Sequence, residues 1–209
     1  ETFPLTIDSK VSLQIVGEGA GETVIDASGS GKRVIEFNLA QHPIISGVTL
    51  RGGSQSPGAG IYIEKCNNMV INGVIIEDNT INGSSYGTLY GAGLAAGASQ
   101  VTMTDSVVRR NKAGNKSSGT ATGAGIHSSG TFILRDSFIL DNSLASNASY
   151  ATNDKGAGIY FGGTEFEVVN VLISGNKLGG KGGGVYLAGG NLAITNATMA
   201  TISKPPMNL

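Results

Sequence analysis

Apolar residues along this chain come in short runs that alternate with polar ones, and the runs return at a nearly constant distance. Ile61 and Ile63 flank Tyr62, and Phe166 and Val168 flank Glu167. A period of two is that of a strand with one buried face. Laid on itself, the chain shows why the runs return. Gly-small-Gly-aliphatic recurs as Gly58-Ala59-Gly60-Ile61, Gly91-Ala92-Gly93-Leu94, Gly123-Ala124-Gly125-Ile126, Gly156-Ala157-Gly158-Ile159 and Gly182-Gly183-Gly184-Val185. Each of the first four is followed by aliphatic-x-x-Asn, ending at Asn79, Asn111, Asn142 and Asn176. The starts lie 33, 32, 33 and 26 residues apart. A leucine-rich horseshoe would need a leucine frame that is absent, and a helical repeat would not alternate with period two.

The alternation fixes which side chains point inward. A first strand buries Ile61 and Ile63, Leu94 and Ala96, Ile126 and Ser128, Ile159 and Phe161, and Val185 and Leu187. A second buries Met69 and Ile71, Val101 and Met103, Phe132 and Leu134, Phe166 and Val168, and Leu192 and Ile194. A bend follows at Gly73, Asp105, Asp136, Asn170 and Asn196, residue types that tolerate a left-handed backbone. A third strand buries Val74 and Ile76, Ser106 and Val108, Ser137 and Ile139, Val171 and Ile173, and Ala197 and Met199. Three short strands per turn coil into a prism whose turns pair in parallel about 4.8 Å apart. The expected fold is all-β: a right-handed parallel β-helix, a solenoid of about seven coils. Asn79, Asn111, Asn142 and Asn176 should form an internal amide ladder.

Two degenerate coils precede the regular ones. Residues 11–27 carry Val11, Leu13, Ile15, Val24 and Ile25; residues 34–53 carry Val34, Ile35, Phe37, Ile45, Val48 and Leu50, with Gly53 where Asn is expected. Residues 1–209 read as a single elongated domain, with degenerate coils in 1–57, regular repeats in 58–200 and a tail in 201–209.

Composition narrows the function classes. Charged residues are only 14% and glycines number 33, which favours turns and repeated strands over long helices. A net charge of -1 lacks the basic face of a nucleic-acid partner or an anionic-membrane binder. No apolar run is long enough to span a bilayer. Cys66 is alone, so neither an internal disulfide nor a cysteine metal cluster can form.

The pairing of the glycine tetrad with aliphatic-x-x-Asn over residues 58–200 resembles the GGAI and FxxN repeats of the chlamydial polymorphic outer-membrane proteins, with Ile or Val at the Phe position. The opening, Glu1-Thr2-Phe3-Pro4-Leu5-Thr6-Ile7 through Val24-Ile25-Asp26-Ala27, looks like the first coils of pectin-lyase-like β-helix proteins. The resemblance implies a secreted or bacterial cell-surface (outer-membrane) setting. It also leads one to expect a longer parent chain, because an upstream segment usually caps such a helix. The fold hosts lyases, hydrolases, esterases, adhesins and tailspikes, so it does not choose among activities.

The residues do not assemble into a catalytic set of those enzymes. Arg51, Arg109, Arg110, Arg135 and Lys65 lack the arginine-proline setting of pectate lyases, and no Gly-His-Gly of the related hydrolases occurs. His42 precedes Pro43, and His127 takes the outward place after Ile126, as an ordinary surface histidine would. Asp105 and Asp136 fall one coil apart and would offer a calcium ion two carboxylates, but the same residues also suit the bend itself. The run Gly179-Gly180-Lys181-Gly182-Gly183-Gly184 opens a strand and lacks a following Lys-Ser/Thr, so it is no phosphate loop. Four Asn-x-Ser/Thr sequons, at Asn82, Asn115, Asn147 and Asn196, are what an Asn- and Ser-rich chain produces by chance.

Binding surfaces are easier to place. Loops 80–90, 112–122 and 143–155 leave equivalent points of successive coils and project from one side, carrying Tyr86, Tyr90 and Tyr150. Beside them runs the outward column Tyr62, Ala95, His127, Tyr160, Tyr186, whose flat rings suit sugar faces. A second outward column, Thr49, Ile75, Val107, Phe138, Leu172, Thr198, is apolar; Ile75, Val107, Phe138 and Leu172 suit self-association or a covering segment. The expected function is a non-catalytic, exported or cell-surface module acting in adhesion or in binding a polysaccharide or host-surface ligand. The alternative is a polysaccharide lyase or glycoside hydrolase with divergent or missing catalytic residues. A plain structural spacer is a third.

Overall fold

The computed structural model describes residues 2–8, 12–83, 87–115, 119–145, 153–178 and 182–199. It is a right-handed parallel β-helix of seven coils, formed by three seven-stranded, all-parallel sheets. Face one comprises Leu5–Asp8, Ile35–Asn38, Ile61–Glu64, Leu94–Gly97, Ile126–Ser128, Ile159–Phe161 and Val185–Leu187. Face two comprises Gln14–Val16, Ile44–Ser46, Met69–Asn72, Gln100–Thr104, Thr131–Arg135, Glu165–Val169 and Asn191–Thr195. Face three comprises Val24–Asp26, Thr49–Arg51, Ile75–Glu77, Val107–Arg109, Phe138–Leu140, Leu172–Ser174 and Thr198–Met199.

Each coil lies on the next in unbroken register, so inward side chains form columns. Ile35 pairs with Ile61, Ile61 with Leu94, Leu94 with Ile126, and Ile126 with Ile159. Phe37, Ile63, Met69, Ile71, Ile76, Leu134, Phe161 and Phe166 are buried in one continuous core. Each such side chain contributes roughly 1.5–3 kcal/mol by leaving water. The inward serines of face three, Ser106 and Ser137, are accommodated by hydrogen bonds, whereas the buried Ser128 hydroxyl on face one has no partner among the described residues. Ser106 Oγ accepts from Val74 N at 3.1 Å and donates to Thr104 O at 2.6 Å. Cys66 is buried as well, and that burial pushes its thiol pKa up.

The bend between faces two and three lies where the sequence put it: Gly73, Asp105, Asp136, Asn170 and Asn196 all have φ between 49° and 59°. A second left-handed column was not anticipated. Gly52, Asp78, Arg110, Asp141 and Gly175 have φ between 53° and 75° and stand immediately before the ladder positions.

The ladder itself explains why the two sequence motifs travel together. Asn79 Nδ2 donates to Asn111 Oδ1, Asn111 Nδ2 to Asn142 Oδ1, and Asn142 Nδ2 to Asn176 Oδ1, each at 3.0 Å. Backbone N–H groups of Asn79, Asn111 and Asn142 donate to the same oxygens at 3.2, 3.1 and 3.0 Å. All four asparagines are fully buried. A Cβ on Gly93 would lie 2.9 Å from Asn111 Nδ2 and 2.5 Å from Gly125 O, so the third tetrad residue must be glycine for the amide to fit. The first tetrad residue answers to backbone geometry instead: Gly91 has φ +54° and a Cβ there would lie 2.1 Å from Leu94 O. Gly53 ends the ladder, donating its N–H to Asn79 Oδ1 at 2.9 Å. A side chain at 53 would meet Ala59 O at 1.9 Å, which is why asparagine is missing there.

The segments expected to be loops are built differently. Thr80–Gly83, Lys112–Asn115 and Ser143–Leu144 form a parallel sheet of their own, and Thr88–Tyr90 pairs with Thr120–Thr122. They enclose a second, smaller core of Ile81, Ala92, Ala113, Ala121, Ala124, Leu144 and Ala157, with Leu89 and Leu178 against it. Stacking is the reason. Each insertion leaves its coil at the same point, so its backbone finds the ladder partner one coil away.

At the two ends of the described coils the inward pattern is open. Leu13 is 42% exposed, and Leu187, Ile194 and Met199 are 41%, 48% and 37% exposed, although the alternation marks these last three as inward. Their columns continue on one side only among the described residues.

Candidate ligand-binding site

The outward column of face one stacks as its register requires: Glu36 beside Tyr62, Tyr62 beside Ala95, Ala95 beside His127, His127 beside Tyr160, and Tyr160 beside Tyr186. The His127 and Tyr160 rings are parallel within 3° at 4.7 Å, and the Tyr160 and Tyr186 rings within 11° at 5.7 Å. At the other end the buried Arg33 guanidinium covers Tyr62 at 4.7 Å and pairs with Glu36 at 2.8 Å. Burial first, and the Glu64 charge second, push the Tyr62 phenol above its ordinary pKa.

A second column runs alongside, made of the residue preceding each tetrad: Pro57, Tyr90, Thr122 and Lys155. The larger members lean one coil forward. Tyr90 meets the His127 ring edge-on at 4.7 Å, and Lys155 Nζ sits 5.2 Å from the Tyr186 centroid. Thr122 is too short to reach forward and its hydroxyl bonds His127 Nδ1 at 2.9 Å.

Each column therefore contains one small residue, and each leaves a hollow. The gap at Thr122 opens a cavity of about 350 Å³ lined by Thr88, Tyr90, Thr120, Thr122, His127, Asn153, Lys155 and Tyr160. The gap at Ala95 opens another of about 200 Å³, between Tyr62 and His127 and reaching Glu64 and Ser129. The two share Tyr90 and His127 as their common wall. The rings of Tyr90, His127 and Tyr160, three threonine hydroxyls, an amide and a lysine line the larger hollow, a mostly polar set that can hydrogen-bond a small polar ligand against an aromatic wall.

His127 is not the ordinary surface histidine its outward position suggests. Wedged between Tyr90 and Tyr160, it is desolvated enough that its pKa falls to about 4. It is a neutral ring at physiological pH.

Of the residues singled out in the sequence, Tyr62, Tyr90, His127, Tyr160 and Tyr186 come together here. Tyr86 and Tyr150 lie outside the described residues. Glu64, Thr88, Thr120, Asn153 and Lys155 were missed. The signal that would have found Lys155 is its place one residue before a tetrad, shared with Tyr90.

The remaining candidates lie elsewhere. Asp105 and Asp136 occupy the bend between faces two and three with φ of 49° each, and Asp136 Oδ1 accepts from Asn170 Nδ2 at 3.0 Å. Among the described residues no group of three or more His, Cys, Asp or Glu side chains is arranged to hold a metal. The apolar column of face three keeps its order, but Thr49 is buried, Phe138 is 46% exposed, and Ile75, Val107 and Leu172 are half-buried. Arg51 pairs with Asp26 at 2.8 Å and Arg135 with Glu167 at 2.7 Å. Arg109 and Arg110 both bind Glu77, at 2.7 and 2.8 Å, and Arg110 also binds Asp78 at 2.7 Å. The Asp78 hydrogen bond is the chief reason the Arg110 pKa rises.

Among the described residues no helix is long and apolar enough to cross a membrane. Comparison with family models, with curated proteins and with solved structures finds no match.

Proposed function

We propose that this β-helix is a non-catalytic, ligand-displaying module of an exported or cell-surface bacterial protein, and that it binds carbohydrate in the groove between face one and the accessory ladders. One observation carries the reading: the stacked His127 and Tyr160, backed by Tyr186, form one wall of a hollow whose other walls present hydroxyls, an amide and an ammonium. Flat rings cover the C–H faces of sugars, and the polar groups meet their hydroxyls. The likeness of the repeat to that of the polymorphic outer-membrane proteins supports the surface setting. Titrating a panel of polysaccharides by calorimetry tests it. Binding that disappears in the Tyr160→Ala/Tyr186→Ala double variant supports the groove; binding unchanged by it removes the groove from consideration.

A second reading has its own observation. Glu77 and Asp78 stand beside Arg109 and Arg110, the acidic–basic juxtaposition that a lyase or hydrolase of this fold would need. Reducing-end release from acidic and neutral polysaccharides with calcium present, abolished by Glu77→Gln, would establish it in place of the first.

A further inference from the structure

The two hollows carry opposite charge, and that has a consequence for what they select. The larger one ends on Lys155. The ion pairs among the described residues involve Arg33, Arg51, Arg109, Arg110 and Arg135, and Lys155 enters none of them. Its ammonium is steadied by the Tyr186 ring and faces the groove rather than a carboxylate.

The smaller hollow ends on Glu64. This carboxylate is held in place from two sides. Tyr62 Oη donates to Glu64 Oε2 at 3.2 Å. Beneath it, position 97 carries no side chain, and a Cβ there would lie 2.1 Å from the same oxygen. Gly97 is thus the seat of the Glu64 carboxylate, in register with it on the adjacent strand.

The hollows meet at Tyr90 and His127, and the small residues that create them, Ala95 and Thr122, belong to neighbouring coils. Glu64 and Lys155 stand three coils apart, about 14 Å at about 4.8 Å per coil and the length of about three sugar units, so one glycan chain lying along the rod spans both hollows. A unit bearing a carboxylate or sulfate is attracted to Lys155. The same unit placed beside Glu64 meets a like charge, whereas a neutral unit there donates its hydroxyls to the carboxylate.

Resting on the carbohydrate reading above, we propose that the groove recognises a heteroglycan in which anionic and neutral sugars alternate, an anionic unit at Lys155 and the neutral unit three places along the chain at Glu64. A homopolymer of uronic acids is disfavoured at Glu64, and a neutral polymer forgoes Lys155.

The test is calorimetric titration of the full chain with three probes: hyaluronan as the alternating polymer, polygalacturonate as the homopolyanion, and glucomannan as the neutral one. Hyaluronan is expected to bind roughly tenfold more tightly than either of the others. Lys155→Gln should lower hyaluronan affinity roughly to the neutral level, and Glu64→Gln should raise polygalacturonate affinity while leaving Lys155 selectivity in place. Circular dichroism checks that both variants keep the fold. If glucomannan and hyaluronan bind alike and Lys155→Gln changes neither, the charge selection is overturned while carbohydrate binding stands. If polygalacturonate binds best, the role of Glu64 is overturned. If no probe binds, the carbohydrate reading falls and this inference with it.

Discussion

The described residues form two cores, and these are made of different material. The main one fills the prism with Ile, Leu, Met and Phe columns, and its corner is sealed by the asparagine ladder. The accessory one is mostly alanine, with Ile81 and Leu144 as its large buried members. Both ladders share the same coil spacing, so backbone pairing does not distinguish them. Buried volume does. The main core has apolar area enough to define the fold, whereas the accessory core adds a thin layer whose position is inherited from the rod. That asymmetry suits a binding surface: the groove borders the inherited layer, where the register-paired Tyr90, Thr122 and Lys155 differ from coil to coil without disturbing the prism.

Substitutions in the two cores should separate them. The largest effect is expected at the ladder. Asn111→Leu strands the Asn79 backbone N–H, takes one acceptor from Asn79 Nδ2 and removes the amide that donates to Asn142 Oδ1 and Ile76 O, and should cost ~4 kcal/mol in chemical denaturation. A loss below ~1 kcal/mol would mean that the ladder is an ornament of the turn and not its lock. Phe161→Ala, in the stack with Phe166 at 4.9 Å, should cost ~3–4 kcal/mol and lower the global transition. Ile81→Ala should cost ~2 kcal/mol, and hydrogen exchange should show the loss confined to strands Thr80–Gly83 and Lys112–Asn115. Global loosening by that variant would make the two cores a single cooperative unit.

The next effect depends on pH and belongs to the seam between the cores. The His127 pKa is about 4 in the fold and near 6.5 in the unfolded chain, so the unfolded chain binds more protons between those values. Stability therefore falls as pH drops from about 6.5 towards 4, by up to ~2–3 kcal/mol. His127→Phe should remove this part of the slope, which thermal unfolding at pH 4.5 and 7 would reveal. The smallest effect is expected on face three, where Phe138 is 46% exposed: Phe138→Thr should change stability by less than ~0.5 kcal/mol.

Much of this was legible before the structure. Ile61, Ile63, Met69, Ile71, Val74 and Ile76 alternate in phase, and a strand's period of two sends alternate side chains to opposite faces. The asparagine ladder followed from one residue type recurring at one phase. The accessory core was hidden because Ile81, Leu89 and Leu144 are sparse among Ser, Gly and Asn, and alanine columns look like loop composition. The same sparseness concealed the groove. Tyr160 and Tyr186 stood out as aromatics in an outward phase, but Lys155 and Glu64 are unremarkable residues until stacking brings them to neighbouring hollows.

The sequence alone determined the coil, its three faces, the inward columns and the corner ladder, because each of these repeats, and a repeat is visible without knowing what touches what. Tertiary structure alone decided where the repeat is broken to purpose. Ala95 and Thr122 are small, and smallness means nothing along the chain. It becomes a hollow only when Tyr62, Tyr90, His127, Tyr160 and Lys155 stand around it. Those neighbours are set by inter-coil register, across some thirty residues of chain, and register is a property of packed sheets rather than of any local run of residues.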